Sequence, residues 1–156
     1  MHKKTFEISS QGTVSSEFLV PYAQVVTMAA DIYPPDASVD AICGWVAGTE
    51  CRTVTGSNNS ERVLGFMCLG QSLSPATAWI EALVVSEESR GFAIGKGLVI
   101  DALTVSRAKG YEAVALDAVE GSEAFYAQLG FREIPDDNID AYMSNDPSTP
   151  MIFHFI

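Results

Sequence analysis

Between residues 79 and 109 the chain changes its hydrophobic period from two to nearly four across one short turn. Residues 79–85 form an apolar run of β-favouring character. Residues 94–109 repeat apolar side chains at helical spacing, with Ile94, Leu98, Ala102 and Val105 on one stripe and Lys96, Thr104 and Arg107 opposite it. A strand that runs through a glycine-bearing turn into a long amphipathic helix places the chain among α/β proteins with a mixed α+β sheet.

The rest of the sequence fits that reading. Residues 5–9 make a short strand that Gln11-Gly12 should end. A helix follows, capped by Ser15 or Ser16, with Glu17 in its first turn and Pro34-Pro35 as its stop. A shorter helix is expected over 38–46. Residues 51–55 and 63–69 are β-rich and flank a turn cluster at 56–60, which predicts a hairpin. Beyond the long helix come a strand at 113–116, a short helix at 122–129 and a strand starting at Phe131. Gly130 suits the residue after that short helix, where only glycine takes the left-handed conformation without a Cβ penalty, and Phe131 can pack back on the last turn. The final strand, 151–156, is apolar almost throughout, so it belongs inside the sheet or in an interface, which leaves room for a homodimer.

Length and composition bound the partners. A chain of 156 residues that is 47% hydrophobic and 19% charged suits one ordinary globular domain over 1–156. Nine Lys and Arg against twenty Asp and Glu give a net charge of −11, a field that repels phosphate backbones and anionic lipid. Neither nucleic acid nor membrane is an expected partner. The field favours a cationic ligand, although acids that only keep a protein soluble give the same sum. Cys43, Cys51 and Cys68 suit neither a disulfide framework nor paired zinc ligands, and they read as reduced, buried thiols that pack the core. His2 and His154 lie far apart, and no carboxylate shows ligand spacing to them, so no metal is expected. With no apolar stretch of about 18 residues and no leader-like segment after Lys3 and Lys4, the chain reads as cytoplasmic.

The turn before the long helix carries the chemistry. Unpaired N–H groups and the macrodipole make a helix N-terminus an anion site. Gly91, Gly95 and Gly97 would let a bulky anion approach the backbone, and Arg90 and Lys96 add cationic charge. The same glycines would also serve a strand-to-helix turn with no ligand. A P-loop is excluded because Gly91 and Gly95 enclose only three residues. A dinucleotide fingerprint fails because Leu98, Val99 and Ile100 follow Gly95-Lys96-Gly97.

Arg90, Gly91, Phe92, Ala93, Ile94 and Gly95 resemble the acetyl-CoA site of the GCN5-related N-acetyltransferase (GNAT) superfamily. Its pattern is Arg or Gln, two residues, Gly, one residue, then Gly or Ala. Ala93 stands where the pattern has its first Gly; if that position needs φ > 0, the alanine weakens binding or shifts the loop. A second segment fits in the same order: Phe125-Tyr126-Ala127-Gln128-Leu129-Gly130-Phe131 resembles the family's FYxxLGF ending. The Asn often found near the start of that helix is missing, and Ser122 stands as its substitute.

The resemblance implies a GNAT-like acyl-CoA N-acyltransferase fold, a twisted mixed sheet of about six or seven strands with about four helices. It implies acetyl-CoA as donor, with the backbones of Leu83, Val84 and Val85 on the pantetheine and Arg90, Gly91, Phe92, Ala93, Ile94, Gly95 and Lys96 around the pyrophosphate. Transfer would go directly to a primary amine of a small molecule or peptide. Tyr126 falls at the position of the family's acid, though a tyrosine packing its ring in the core is the alternative. Glu81 is the expected base, since it shares a strand face with Leu83 and Val85 and is the one acid in an apolar strand; a solvated edge-strand Glu is the alternative. Asp31, Asp36 and Asp40 near Tyr33, with the acidic loop after Pro135, would suit a cationic amine or simply a solvated surface. The reading from another class is a non-catalytic acyl-CoA sensor with the same fold.

Overall fold

The computed structural model describes residues 6–13, 48–56, 59–72, 74–86, 89, 91, 93–135 and 149–155. The helices expected between residues 15 and 46, with Asp31, Tyr33, Asp36, Asp40 and Cys43, lie outside the described residues, as do Arg90, Phe92 and the acidic loop over 136–148. The backbone divides into two compact units, Met1–Leu69 with Glu81–Asp101 and Gly70–Ile80 with Ala102–Ile156.

The first unit holds β1 (Phe6–Thr13), β2 (Glu50–Gly56), β3 (Asn59–Gln71) up to Leu69, the second half of β4 (Thr77–Val85) and the first half of α1 (Ile94–Ala108). Its strands follow the order β1-β2-β3-β4. The expected hairpin is present: β2 and β3 pair antiparallel from Glu50↔Leu69 to Gly56↔Asn59. β1 runs past the Gln11-Gly12 pair expected to end it. A register shift between Ser10 and Thr13 absorbs those residues, and the ladder resumes at Thr13↔Glu50. Along α1 the expected stripe is buried at Ile94, Leu98 and Ala102 and half-buried at Val105, Val99 joins the buried side, and Lys96, Thr104 and Arg107 are exposed.

In the second unit the order is β4-β5-β7-β6, with β5 (Ala113–Ala118), β6 (Arg132–Glu133) and β7 (Thr149–His154). The first half of β4 runs parallel to β5 from Thr77↔Ala113 to Ile80↔Leu116. β7 is antiparallel to β5 on one side and β6 on the other, which explains why its sequence is apolar almost throughout. Trp79, Ala113, Ala115, Ile134 and Ile152 make one buried cluster of this unit. The short helix α2 (Glu123–Gln128) ends as its sequence foretold. The Gly130 N–H donates to the Ala127 carbonyl at 3.1 Å and the Phe131 N–H to the Tyr126 carbonyl at 3.1 Å, the reciprocal pair of a Schellman cap with Gly130 at φ +101°.

Gly130 is demanded twice, because a Cβ there would also lie 2.8 Å from the Phe153 ring. Gly110 shares the left-handed backbone (φ +91°) but has nothing within 4 Å of a Cβ. We expect Gly110→Ala to cost about 1 kcal/mol and Gly130→Ala at least about twice that, read from urea midpoints at unchanged m-value. Equal costs would mean that the Phe153 contact is not a constraint.

Candidate functional site

In the first unit the site is built around the start of α1. Gly65 of β3 lies under the helix: a Cβ there would stand 3.0 Å from the Val84 carbonyl oxygen, 3.2 Å from Ile94 Cγ2 and 3.4 Å from Leu98 Cδ1. No larger residue lets the helix sit that low on the strand. Two turns along, Arg52 of β2 donates from Nε and Nη2 to the two carboxylate oxygens of Asp101, the Nη2 bond at 2.9 Å, with Glu50 Oε1 3.8 Å from Nη1. The hydrogen bonds it donates to Asp101 hold the guanidinium pKa above its usual value. Both side chains of this pair are more than four-fifths buried, so removing one partner would strand the other's charge at a cost on the order of 3 kcal/mol.

Between β4 and α1 the Ser86 N–H donates to the Leu64 carbonyl at 2.8 Å, the Ser89 N–H to the Ser86 carbonyl at 3.0 Å, and the Ser86 hydroxyl to the Ser89 hydroxyl at 2.7 Å. Gly91 follows at φ +90°, and Ala93 at φ +61° is the one described non-glycine residue with positive φ. The Gly97 N–H closes the first turn on the Ala93 carbonyl at 3.0 Å, so among the described residues the N–H groups of Ile94, Gly95 and Lys96 precede the first intrahelical bond. No acid stands in this first turn, although the macrodipole favours one there, and Lys96 is exposed in it. On β4, Thr77 to Ile80 are buried without break, whereas Glu81, Leu83 and Val85 are half-buried and alternate with buried Ala82 and Val84. The shared face expected for Glu81, Leu83 and Val85 is therefore present. The parallel register to β5 stops at Ile80, before these residues.

Tyr126 and Ser122 belong to the second unit. Tyr126 is 9% exposed, its ring edge-on to Phe125 at 5.0 Å and to Phe131 at 5.7 Å. Burial pushes its phenol up to about 12, so it stays protonated at any ordinary pH. Ser122 precedes α2 and its hydroxyl donates to the Val119 carbonyl at 2.6 Å rather than capping the helix. With its proton spent, that hydroxyl is left with acceptor capacity. The N-terminal end of α2 is held instead by Glu123, whose carboxylate accepts from the Gly121 N–H at 2.9 Å and from Thr149 Oγ1 at 3.3 Å. Glu123's own backbone N–H, then these two donors, depress its pKa.

A model of the acetyltransferase (GNAT) family matches residues 22–131. The chain belongs to the GNAT family of acetyltransferases. Acetyl-CoA is the acetyl donor of that family. A glucosamine 6-phosphate N-acetyltransferase of Trypanosoma brucei brucei is 46% identical over 57 residues, which span 36% of this chain and 39% of that relative's length. Among solved structures, a putative N-acetyltransferase from Lactobacillus plantarum superposes with TM-score 0.74 at 12% identity, covering 97% of this chain and 99% of the other. The PaiA N-acetyltransferase of Thermoplasma acidophilum, crystallised in complex with coenzyme A, does so with TM-score 0.67 at 17% identity, covering 97% and 99%. The GNAT fold expected from the two motifs is thus the fold of this chain.

The described part of the GNAT turn fits a polyanion: Gly91 and Ala93 are exposed, nothing lies within 4 Å of a Cβ placed on Gly91, and three helix N–H groups follow. Sequence reasoning found the turn but missed what seats it. Gly65 sits inside an apolar strand and Arg52 and Asp101 are 49 positions apart, so neither announces a partner. No described helix is long and apolar enough to cross a membrane.

Ala93 carries the Cβ cost that a left-handed residue incurs, partly balanced by the greater unfolded-state freedom of glycine. Ala93→Gly should therefore raise stability by up to about 1 kcal/mol, whereas Gly65→Ala should lower it by about 1–3 kcal/mol. Urea midpoints of the two variants check both signs.

Proposed function

We propose that the chain is an acetyl-CoA-dependent N-acetyltransferase, working as one catalytic domain that passes the acetyl group directly to a primary amine of a small molecule or peptide. The observation that carries this reading is the start of α1: a left-handed turn at Gly91 and Ala93, helix-terminal N–H groups ahead of the first described intrahelical bond and a first turn with a lysine and no acid. Such a terminus opposes the charge pattern of a merely structural helix and suits a diphosphate. Family membership supports the same donor.

Acetyl-CoA, when bound, supplies an acetyl group activated as a thioester. The N–H groups from Gly91 to Lys96, with Arg90 and Phe92, would hold its diphosphate, and the backbone of Leu83, Val84 and Val85 would hold the pantetheine arm. Ser122 would accept from an amide N–H of that arm, since its hydroxyl proton goes to Val119. A backbone N–H near Val85 would donate to the acetyl carbonyl oxygen, where negative charge grows during transfer. Glu81 would take a proton from the incoming ammonium, because only the neutral amine attacks. Tyr126 holds a proton on Oη that its environment keeps in place well above neutral pH, as an acid for the departing sulfur must.

The net charge of −11 supports a cationic amine as acceptor. The Trypanosoma relative's name adds an amino-sugar phosphate to the amines worth testing. Thiol release should follow addition of at least one member of a panel of polyamine, aminoglycoside, glucosamine 6-phosphate and peptide amines. Thermal stabilisation by acetyl-CoA with no release across the panel would favour the sensor, and the absence of both would sink the two readings together. Tyr126→Phe should lower turnover by about 10- to 100-fold with acetyl-CoA affinity within about twofold, and Glu81→Gln should remove the acid limb of the pH–rate profile. Unchanged turnover in the first or an unaltered profile in the second rejects that residue's role.

A further inference from the structure

Cys51 and Cys68 have no role in the chemistry above, yet they face each other directly across the antiparallel β2–β3 ladder. Residues directly opposite in such a ladder have Cα atoms about 4.5–5.5 Å apart, within the roughly 4.4–6.8 Å that a disulfide spans, and their side chains leave the sheet on one face. The hairpin's register shifts lie towards its turn, from Val54 to Gly56, so the cysteines sit in regular ladder. The adjacent pair Arg52↔Met67 sends Arg52 to Asp101 of α1, which by alternation puts the two thiols on the sheet face away from that helix. Both are nearly without solvent exposure, 2% and 1%, so a reagent reaches them only through local opening of the structure around them. The two thiols are hydrogen-bonded to each other, which lowers the Cys51 pKa and raises that of Cys68 well above the ordinary thiol range. Two thiols that stand side by side in register supply both an attacking and a resolving sulfur.

We propose that Cys51 and Cys68 are a redox-active cross-strand dithiol, a modification site that a small peroxide converts to an intramolecular disulfide and a dithiol reductant restores. The Cys51 sulfur attacks one peroxide oxygen, the O–O bond breaks, and the departing hydroxide takes up the thiol proton as water, leaving a sulfenic acid on Cys51. The Cys68 sulfur then attacks the Cys51 sulfur; the S–O bond breaks, the S–S bond forms, and the hydroxyl leaves with the Cys68 proton as a second water. Two thiols lose two electrons and two protons in all, and one hydrogen peroxide becomes two waters. On the return path a dithiol opens the bond through a mixed disulfide and is itself left oxidised.

Hydrogen peroxide applied to the native full chain tests this, with Cys43→Ser removing the third thiol. The intact mass of that variant should fall by two hydrogens, its thiols titrated after denaturation should drop from two to none, and dithiothreitol should restore both. Two persisting thiols, added oxygen without hydrogen loss, or a disulfide between chains would each overturn the proposal. In the full chain with Cys43 present, peptide mapping should join Cys51 to Cys68, and a link to Cys43 would refute it. Cys51→Ser should slow peroxide consumption about tenfold or more, whereas Cys68→Ser should leave a sulfenic acid that dimedone traps. An unchanged rate in Cys51→Ser would overturn the assignment of the attacking sulfur.

Discussion

The bidentate pair between Arg52 of β2 and Asp101 of α1 sets the terms for the first unit, because a helix terminus attracts an anion only in the direction the helix is aimed. A helix laid on a sheet by apolar contacts alone can slide and roll over side chains of similar size at small cost. The guanidinium fork removes that freedom, since two parallel hydrogen bonds fix both position and rotation. Gly65 fixes the remaining coordinate, the height of the helix above the strand, by offering no side chain beneath Ile94 and Leu98. With both in place, the N–H groups that follow Ala93 are aimed by the sheet and not by the turn itself. The turn can then hold a strained alanine at φ +61° without unwinding.

The second unit relies on a different effect. Tyr126 sits on a helix of only six residues, too short to be stable alone, so its side chain is positioned by what closes the helix. Glu123 ties the first turn to Gly121 and Thr149, and the Schellman cap at Gly130 ties the last one. Ring contacts with Phe125 and Phe131 complete the desolvation that keeps the phenol protonated. The first unit thus relies on a dipole that attracts charge, and the second on a dry environment that refuses it.

Local signals were legible in the sequence and pairings were not. The stripe of α1, the hairpin around residues 56–60, the cap at Gly130 and the shared face of Glu81, Leu83 and Val85 all follow from periodicity or turn chemistry within a few residues. The extension of β1 past Gly12 was missed because glycine ends a strand only when no partner holds it, and β2 holds this one through Thr13↔Glu50. Arg52 with Asp101, Gly65 under Leu98, and Cys51 opposite Cys68 depend on which strand lies beside which, and no single segment carries that information. The same limit applies to Ser122, whose hydroxyl is directed by the Val119 carbonyl and not by the helix it precedes.

The place of β7 in the second unit has a consequence for biosynthesis. It follows every other described strand in sequence, yet it lies between β5 and β6, and its Phe153 closes over Gly130 at the end of α2. During translation β5 and β6 would wait, each with an unpaired edge, until residues 149–154 clear the ribosome, and the cap beside Tyr126 would lack its cover for as long. The hairpin of β2 and β3 has no such delay, since both strands emerge together. A ribosome stalled between β6 and β7 would therefore leave β5 and β6 without their shared partner while the hairpin of the first unit is already paired. Apolar β7 thus acts as a timed closure as well as a part of the core.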